Sequence, residues 1–403
     1  MDIATLVVVV LVIASALIFD FTNGFHDTAN AMATSIATGA LKPKTAVIAA
    51  GTLNLVGAFL STEVAKTISG GIINEAQVTI GPEFIFAGLI GAIIWNLLTW
   101  LVGLPSSSSH ALFGGLVGAV IVGAGVQGVN FGAVLGKVLI PALISPVIAG
   151  FASYCAVKLI YRVVKKLEVS RMEAGFRHGQ TITACLVALS HGTNDAQKTM
   201  GIITLTLIAV GAQPSGTGPH LWVVAVCGLA IALGTYVGGW RVIRTLGKGL
   251  TEIRTPQGFA AELSSATTIL VSSHLGFALS TTQVCSGSII GSGLGKKNDK
   301  VNWAVALRMV IAWLVTFPAA GLVGAAACAL AKVGLGGTIA VAAIGVAAAL
   351  IIYRLSLRNP VTANNVNDHS EVKISIAKKG NGNDSHNGPT GGSQTPIPAG
   401  TAA

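Results

Sequence analysis

The chain has 403 residues, of which 52% are hydrophobic and 10% charged, with a mean hydropathy of +0.74 and a formal net charge of +10. A soluble globular chain carries about a quarter charged residues, so this composition excludes a soluble domain. Long apolar runs in place of short alternating segments exclude a β-barrel. The basic residues gather in short stretches between apolar ones, so the positive charge reports membrane topology and not a nucleic-acid partner.

The first apolar run covers residues 3–19 and approaches the roughly 20 residues that a helix needs to cross a bilayer. Met1-Asp2-Ile3 lacks the basic start of a signal peptide, so residues 3–22 are expected as a retained first helix. Further apolar stretches follow at 45–62, 84–104, 134–157, 221–240, 301–331 and 335–353, which makes the chain an all-α polytopic membrane protein. The loop 63–83 sets Glu63, Glu75 and Glu83 against Lys66 and reads as external. The stretch 158–180, with Lys158, Arg162, Lys165, Lys166, Arg171 and Arg177, reads as a basic cytoplasmic loop, as does 241–254 with Arg241, Arg244, Lys248 and Arg254. Residues 356–403 are poor in large apolar side chains and are expected as a disordered polar tail, with His369 and His386 as spectators. Cys155, Cys185, Cys227, Cys285 and Cys328 show no CxxC spacing and read as small core hydrophobes.

The stretch Asn23-Gly24-Phe25-His26-Asp27-Thr28-Ala29-Asn30-Ala31-Met32 recurs as His191-Gly192-Thr193-Asn194-Asp195-Ala196-Gln197-Lys198-Thr199-Met200, with Gly, Asp and Met coinciding at a constant offset of 168. A hydroxyl cluster follows each copy. Ser107-Ser108-Ser109-His110 precedes one Gly-rich apolar run, and Ser280-Thr281-Thr282-Gln283 precedes another. Lys42 and Lys44 lie after the first signature helix, while the basic stretch 158–180 lies before the second. The two copies should therefore run in opposite directions, as inverted repeats do in secondary transporters. The expected organisation is a first inverted repeat at 1–157, the basic loop, and a second repeat at 181–355, with broken helices or re-entrant hairpins. The N-terminus is expected outside.

A carboxylate at the centre of a bilayer costs about 2.5–3.5 kcal/mol on insertion scales, and such residues are generally functional. One aspartate at a helix end is often a cap; two at matching places in two halves are a site. Asp27 and Asp195, amid Gly24, Gly192, Asn23, Asn30 and Asn194, offer hard oxygen ligands for a cation. Gly24 and Gly192 either admit a close backbone or break a helix. Hydroxyls at a helix start, with its free N–H groups, suit an oxyanion. Cation elements and anion loops together describe a cation–oxyanion symporter. His26 and His110 also fit as hydrogen-bonded helix-end histidines, and His220 and His274 read as structural. Asp20 and Glu262 are expected to support the site from a distance.

The signatures FTNGFHDTANAMAT and SHGTNDAQKTMG, with both hydroxyl loops, resemble the inorganic phosphate transporter (Pit) family, in particular its bacterial low-affinity branch. The resemblance spans residues 1 to about 355. It implies phosphate uptake across the bacterial cytoplasmic membrane, roughly ten to twelve membrane segments in inverted repeats, and a homodimer. It assigns phosphate binding to Ser107, Ser108, Ser109, Ser280, Thr281, Thr282 and Gln283. Cation or proton coupling falls to Asp27, Asn30, Asn23, His26, Asp195, Asn194 and Gln197, with Asp27 and Asp195 as the metal-contacting pair. Sodium-coupled relatives tend to read GANDxAN, and Phe25-His26 and Gln197-Lys198 depart from that pattern. The departures favour proton coupling over Na⁺, with phosphate carried free or as a neutral complex with a divalent metal such as Mg²⁺. No cofactor, nucleic acid or enzymatic activity is expected. A sulfate permease would use the same loops, but ionised carboxylates only accept hydrogen bonds and so suit a protonated phosphate better than sulfate. A hydrolase would need a nucleophile–base pair or an H-E-x-x-H helix, and neither is present. A passive channel fits two discontinuous sites in inverted halves less well than alternating access does.

Overall fold

The computed structural model describes residues 2–74, 81–166, 168–297 and 299–368. Helices α1 (Ile3–Ala37), α2 (Pro43–Gly57), α3 (Glu63–Gly71), α4 (Pro82–Leu101) and α5 (Ser108–Ala124) lead to α6 (Phe131–Val134). A π-helical turn at Leu135–Leu139 joins α6 to α7 (Ile140–Val163). The second series is α8 (Val169–Ala209), α9 (Leu221–Val237), α10 (Trp240–Arg244), α11 (Thr255–His274), α12 (Thr281–Gly295) and α13 (Trp303–Ala331), and α14 (Leu335–Ser356) follows.

The same local devices shape both series. Ser107 caps α5 by accepting from the His110 amide, and Ser280 caps α12 by accepting from the Gln283 amide. Asn130 and Asn302 cap α6 and α13 in the same way. Pro146 lies inside α7 and Pro318 inside α13. An isolated backbone bridge precedes each of these caps, Ile73 with Val129 and Thr251 with Val301.

The two series are inverted. Along the contact of α1 with α8, Thr38 donates to Gln180 at 2.8 Å. Thr34 and Thr183 both donate to Glu262, at 2.5 and 2.6 Å, and Asn23 donates to Asp195 at 3.3 Å. Residue numbers rise along α8 as they fall along α1, so the equivalent helices are antiparallel. Their close packing depends on glycine. A Cβ at Gly24 would stand 2.3 Å from the Ile231 carbonyl oxygen of α9, and one at Gly192 would stand 2.2 Å from that of Asn54 in α2.

Basic residues gather helix C-termini at one end of the bundle. Lys248 donates to the Ala37 carbonyl of α1 at 3.1 Å. Arg241 donates to Leu101 of α4 and Ser356 of α14, each at 2.8 Å. Cations suit these carbonyls, which carry the negative ends of the helix dipoles.

Among the described residues, five helical segments are long and apolar enough to cross a membrane, Ile3–Ala37, Pro82–Leu101, Phe131–Val163, Trp303–Ala331 and Leu335–Ser356. A sixth arises if Leu221–Val237 and Trp240–Gly249, bent by 61°, are one broken span. This is fewer than the ten to twelve segments expected, because α5 and α12 are short and α8 carries its charged signature in mid-helix.

Three other expectations are corrected. The first helix runs to Ala37, well past residue 22, and the signature lies inside it, so Gly24 is a close-packing residue and not a break. The stretch 158–180 is largely helical, since α7 extends to Val163 and α8 starts at Val169. Residue 356 still belongs to α14, and residues 359–368 are docked: Val366 is buried, and Arg244 donates to the Asn365 carbonyl at 2.5 Å. One apolar side chain and an arginine anchored on carbonyls outweigh the polar composition there. The rest of the tail, His369 and His386, and Glu75 lie outside the described residues.

Candidate functional site

The antiparallel crossing brings Asp27 of α1 and Asp195 of α8 together, both buried. The N-terminal ends of α5 and α12 point hydroxyls at them. Ser108 donates to Asp27 Oδ2 at 2.9 Å, and Thr282 lies 3.3 Å from Asp27 Oδ1. Thr281 Oγ1 stands 3.1 Å from Asp195 Oδ2 and 3.4 Å from Asp27 Oδ2. One hydroxyl with a single proton therefore sits between two carboxylates from opposite halves. Asn30 supports the same loop, its Nδ2 donating to Thr282 at 3.0 Å and Thr281 at 3.3 Å. Asn23 reaches across to Asp195.

The two carboxylates are compensated differently. Asp195 is paired with the ammonium of Lys198, three residues on along the same face of α8. Among the described residues Asp27 has only His26 as an ion-pair neighbour, Nδ1 to Oδ1 at 2.6 Å. The far nitrogen of His26 lies 3.3 Å from Thr99 Oγ1.

His191 completes the cluster, and the proton on its Nδ1 follows from its neighbours. Thr235 donates to the Ile231 carbonyl at 2.8 Å and so accepts from Asn54 Nδ2 at 2.7 Å. That leaves Asn54 Oδ1 as the acceptor for His191 Nδ1 at 3.2 Å. His191 Nε2 then faces Asp195 Oδ2 at 3.1 Å with either an N–H or a lone pair. One ligand atom each of Asp27, His191 and Asp195 lies within 4.8 Å of the others, a donor set with the chemistry to hold a proton or a divalent ion.

Of the sequence-derived candidates, the structure gathers Asp27, Asp195, Asn23, Asn30, His26, Ser108, Thr281 and Thr282 into one cluster. Ser107 and Ser280 serve as helix caps, and Ser109 ties the two loops by donating to the Leu279 carbonyl at 3.1 Å. Asn194 is buried next to Asp195 in sequence. Gln197 is a correction. Its Oε1 accepts from the Val64 amide at 2.8 Å and the Ala65 amide at 3.3 Å, so it satisfies the start of α3 and does not join the carboxylates. Gln283 lines an apolar groove with His110, Pro146 and Trp313. Glu262 is held by Thr34, Thr183 and Gln180, apart from the central cluster, and Asp20 is buried. Lys198 and His191 were not assigned from sequence. The constant offset held the signal, for it sets Lys198 opposite Asn30 and His191 opposite Asn23.

Comparison with known proteins follows the same two-fold plan. The model of the Phosphate transporter family matches twice, at residues 23–172 and 165–324. A Mycobacterium tuberculosis protein described as a "Probable low-affinity inorganic phosphate transporter" is 51% identical over 98% of this chain and 94% of its own length. A Bacillus subtilis protein with the same description is 44% identical over 80% of this chain and 96% of its own. A solved structure described as "The sodium-dependent phosphate transporter" superposes with a TM-score of 0.73 at 25% identity, covering 81% of this chain and 99% of that one. A duplicated signature, inverted halves and family matches on each half lead to one conclusion: the chain belongs to the phosphate transporter family.

Proposed function

We propose that this chain is a secondary-active carrier that takes up inorganic phosphate across the bacterial cytoplasmic membrane, driven by protons, with its N-terminus outside. One observation carries the reading: Thr281 touches Asp27 and Asp195 at once, at the point where both halves and both hydroxyl loops meet. Phosphate entering this cluster brings O–H donors for the carboxylates, one in HPO₄²⁻ and two in H₂PO₄⁻, and frees Ser108, Thr281 and Thr282 to donate to its oxygens. Hydrogen bonds are exchanged and not lost, which keeps the desolvation cost of a buried anion low. Moving HPO₄²⁻ inward against an inside-negative potential costs about 2.3 kcal/mol per charge for each 100 mV. Accumulation therefore needs co-transported positive charge, and the buried carboxylates are where it is held. The antiparallel halves supply two related arrangements for alternating access.

A second reading is favoured by the cluster of Asp27, His191 and Asp195. Two carboxylate oxygens and an imidazole nitrogen suit a divalent cation, which would travel with phosphate as a neutral complex.

The test is labelled-phosphate uptake by the full chain in liposomes with imposed gradients. Uptake should follow an inward proton gradient, collapse with a protonophore, ignore replacement of Na⁺ by choline, and discriminate against sulfate. Asp27→Asn should abolish accumulation, since the amide keeps the shape and loses the charge. Accumulation indifferent to the proton gradient refutes proton coupling. Equal transport of sulfate refutes the substrate.

A further inference from the structure

We propose that Lys198 is a built-in counter-cation. Its ammonium fills in the second half the role that an exchangeable monovalent cation plays in the first, so the carrier exchanges one cation fewer than its two-fold plan provides. This inference rests on the carrier reading above and deepens it.

The duplication supplies the comparison. Asn30 follows Asp27 by three residues and Lys198 follows Asp195 by three, at the same offset of 168. Three residues along a helix keeps both side chains near the face of their aspartate. The equivalent positions have taken different tasks. Asn30 Nδ2 serves the Thr281 and Thr282 hydroxyls and leaves Asp27 without an ammonium. Lys198 is directly ion-paired with Asp195 Oδ1, and both side chains are 0% exposed. A lysine is almost never fully buried unless paired, and here the pairing is local, within one helix. Removing it would leave Asp195, buried in the protein interior, without an ammonium and with only the His191 ring, 3.1 Å away, as an ion-pair neighbour among the described residues. Such a carboxylate, with Asn194 beside it where the first half has His26 and an asparagine three residues on, is a set of hard oxygen donors that demands a small cation.

The geometry also separates this role from that of an anion anchor. Lysine binds phosphate as a point charge, but the Lys198 ammonium is already engaged by Asp195, and the hydroxyls of the phosphate loops face the carboxylates. The charge of Lys198 acts on Asp195.

The experiment uses the full purified chain and two readouts, thermal melting without phosphate and phosphate uptake in liposomes, each with Na⁺ or choline at constant ionic strength. Wild-type melting and uptake should be insensitive to the exchange. Lys198→Asn should melt lower in choline, be restabilised by Na⁺, and take up phosphate at least about tenfold faster in Na⁺ than in choline, a difference of about 1.4 kcal/mol. Na⁺-independent melting and uptake in Lys198→Asn overturn the proposal. So does a phosphate KM raised about tenfold or more at every Na⁺ concentration, because Lys198 would then be an anion ligand. If Lys198→Asn does not fold even in Na⁺, the double variant Asp195→Asn/Lys198→Asn decides. Its folding, with melting indifferent to Na⁺, supports a charge role, whereas its failure to fold shows a packing role and overturns the proposal. Melting in Na⁺ does not depend on the substrate. Failure of wild-type phosphate uptake would therefore count against the carrier reading alone.

Discussion

Replacing Thr281 by valine tests the centre of the site with the smallest change of shape. The side chain is 1% exposed, and valine preserves its volume while deleting one hydroxyl. That hydroxyl lies within reach of Asp27 and Asp195 but owns one proton, so only one donated bond is lost and the two contacts cannot be counted separately. Asn30, which also donates to Thr281, keeps Thr282 as a partner at 3.0 Å and is not orphaned. A hydrogen bond to a charged group contributes about 1.5–3 kcal/mol. At 1.4 kcal/mol per factor of ten, phosphate affinity should fall by at most roughly 10- to 150-fold, since the empty site also loses its bond to a carboxylate. The assay is the concentration dependence of phosphate counterflow in liposomes, with Thr281→Ser as the control that restores the hydroxyl and the affinity. An unchanged half-saturation in Thr281→Val, with melting also unchanged, would show that the hydroxyl between the carboxylates takes no part in holding the anion.

Two further outcomes follow from the architecture. Gly192→Ala should destabilise the protein by about 1–3 kcal/mol or more, because the added carbon would stand 2.2 Å from backbone of α2. Gly70→Ala, with open space around it, should melt like the parent, and equal melting of the two variants would refute the close-packing account. Cysteines replacing the exposed Lys165 and Glu63 should react with an impermeant thiol reagent from opposite sides, Lys165→Cys from the cytoplasm and Glu63→Cys from outside. Labelling of both from one side would contradict the predicted orientation.

Much of the site was legible because its signals are local and repeated. A buried aspartate flanked by glycine and asparagine is unusual in an apolar chain, and its recurrence at a fixed spacing separates it from a cap. The hydroxyl clusters were equally plain, being the starts of α5 and α12. The error lay at Gln197 and Lys198. Helical geometry sets residue 198 about 60° from residue 195 and residue 197 about 160° away. The ammonium thus faces the carboxylate, while the amide turns toward the start of α3.

By itself the sequence determined the membrane class, the inverted duplication and the two aspartates, since composition, charge asymmetry and repetition are properties of the chain before it folds. Tertiary structure decided what each polar residue meets. Whether Gly24 breaks a helix or admits a neighbour depends on α9, which lies about two hundred residues away in the chain. Whether residues 359–368 stay loose or dock depends on Arg241 and Arg244 presenting donors to their carbonyls. The joining of Asp27 and Asp195 through one hydroxyl exists only because α1 and α8 cross in opposite directions beneath the ends of α5 and α12. Contacts between segments so distant in the chain are fixed by packing, which no local pattern records.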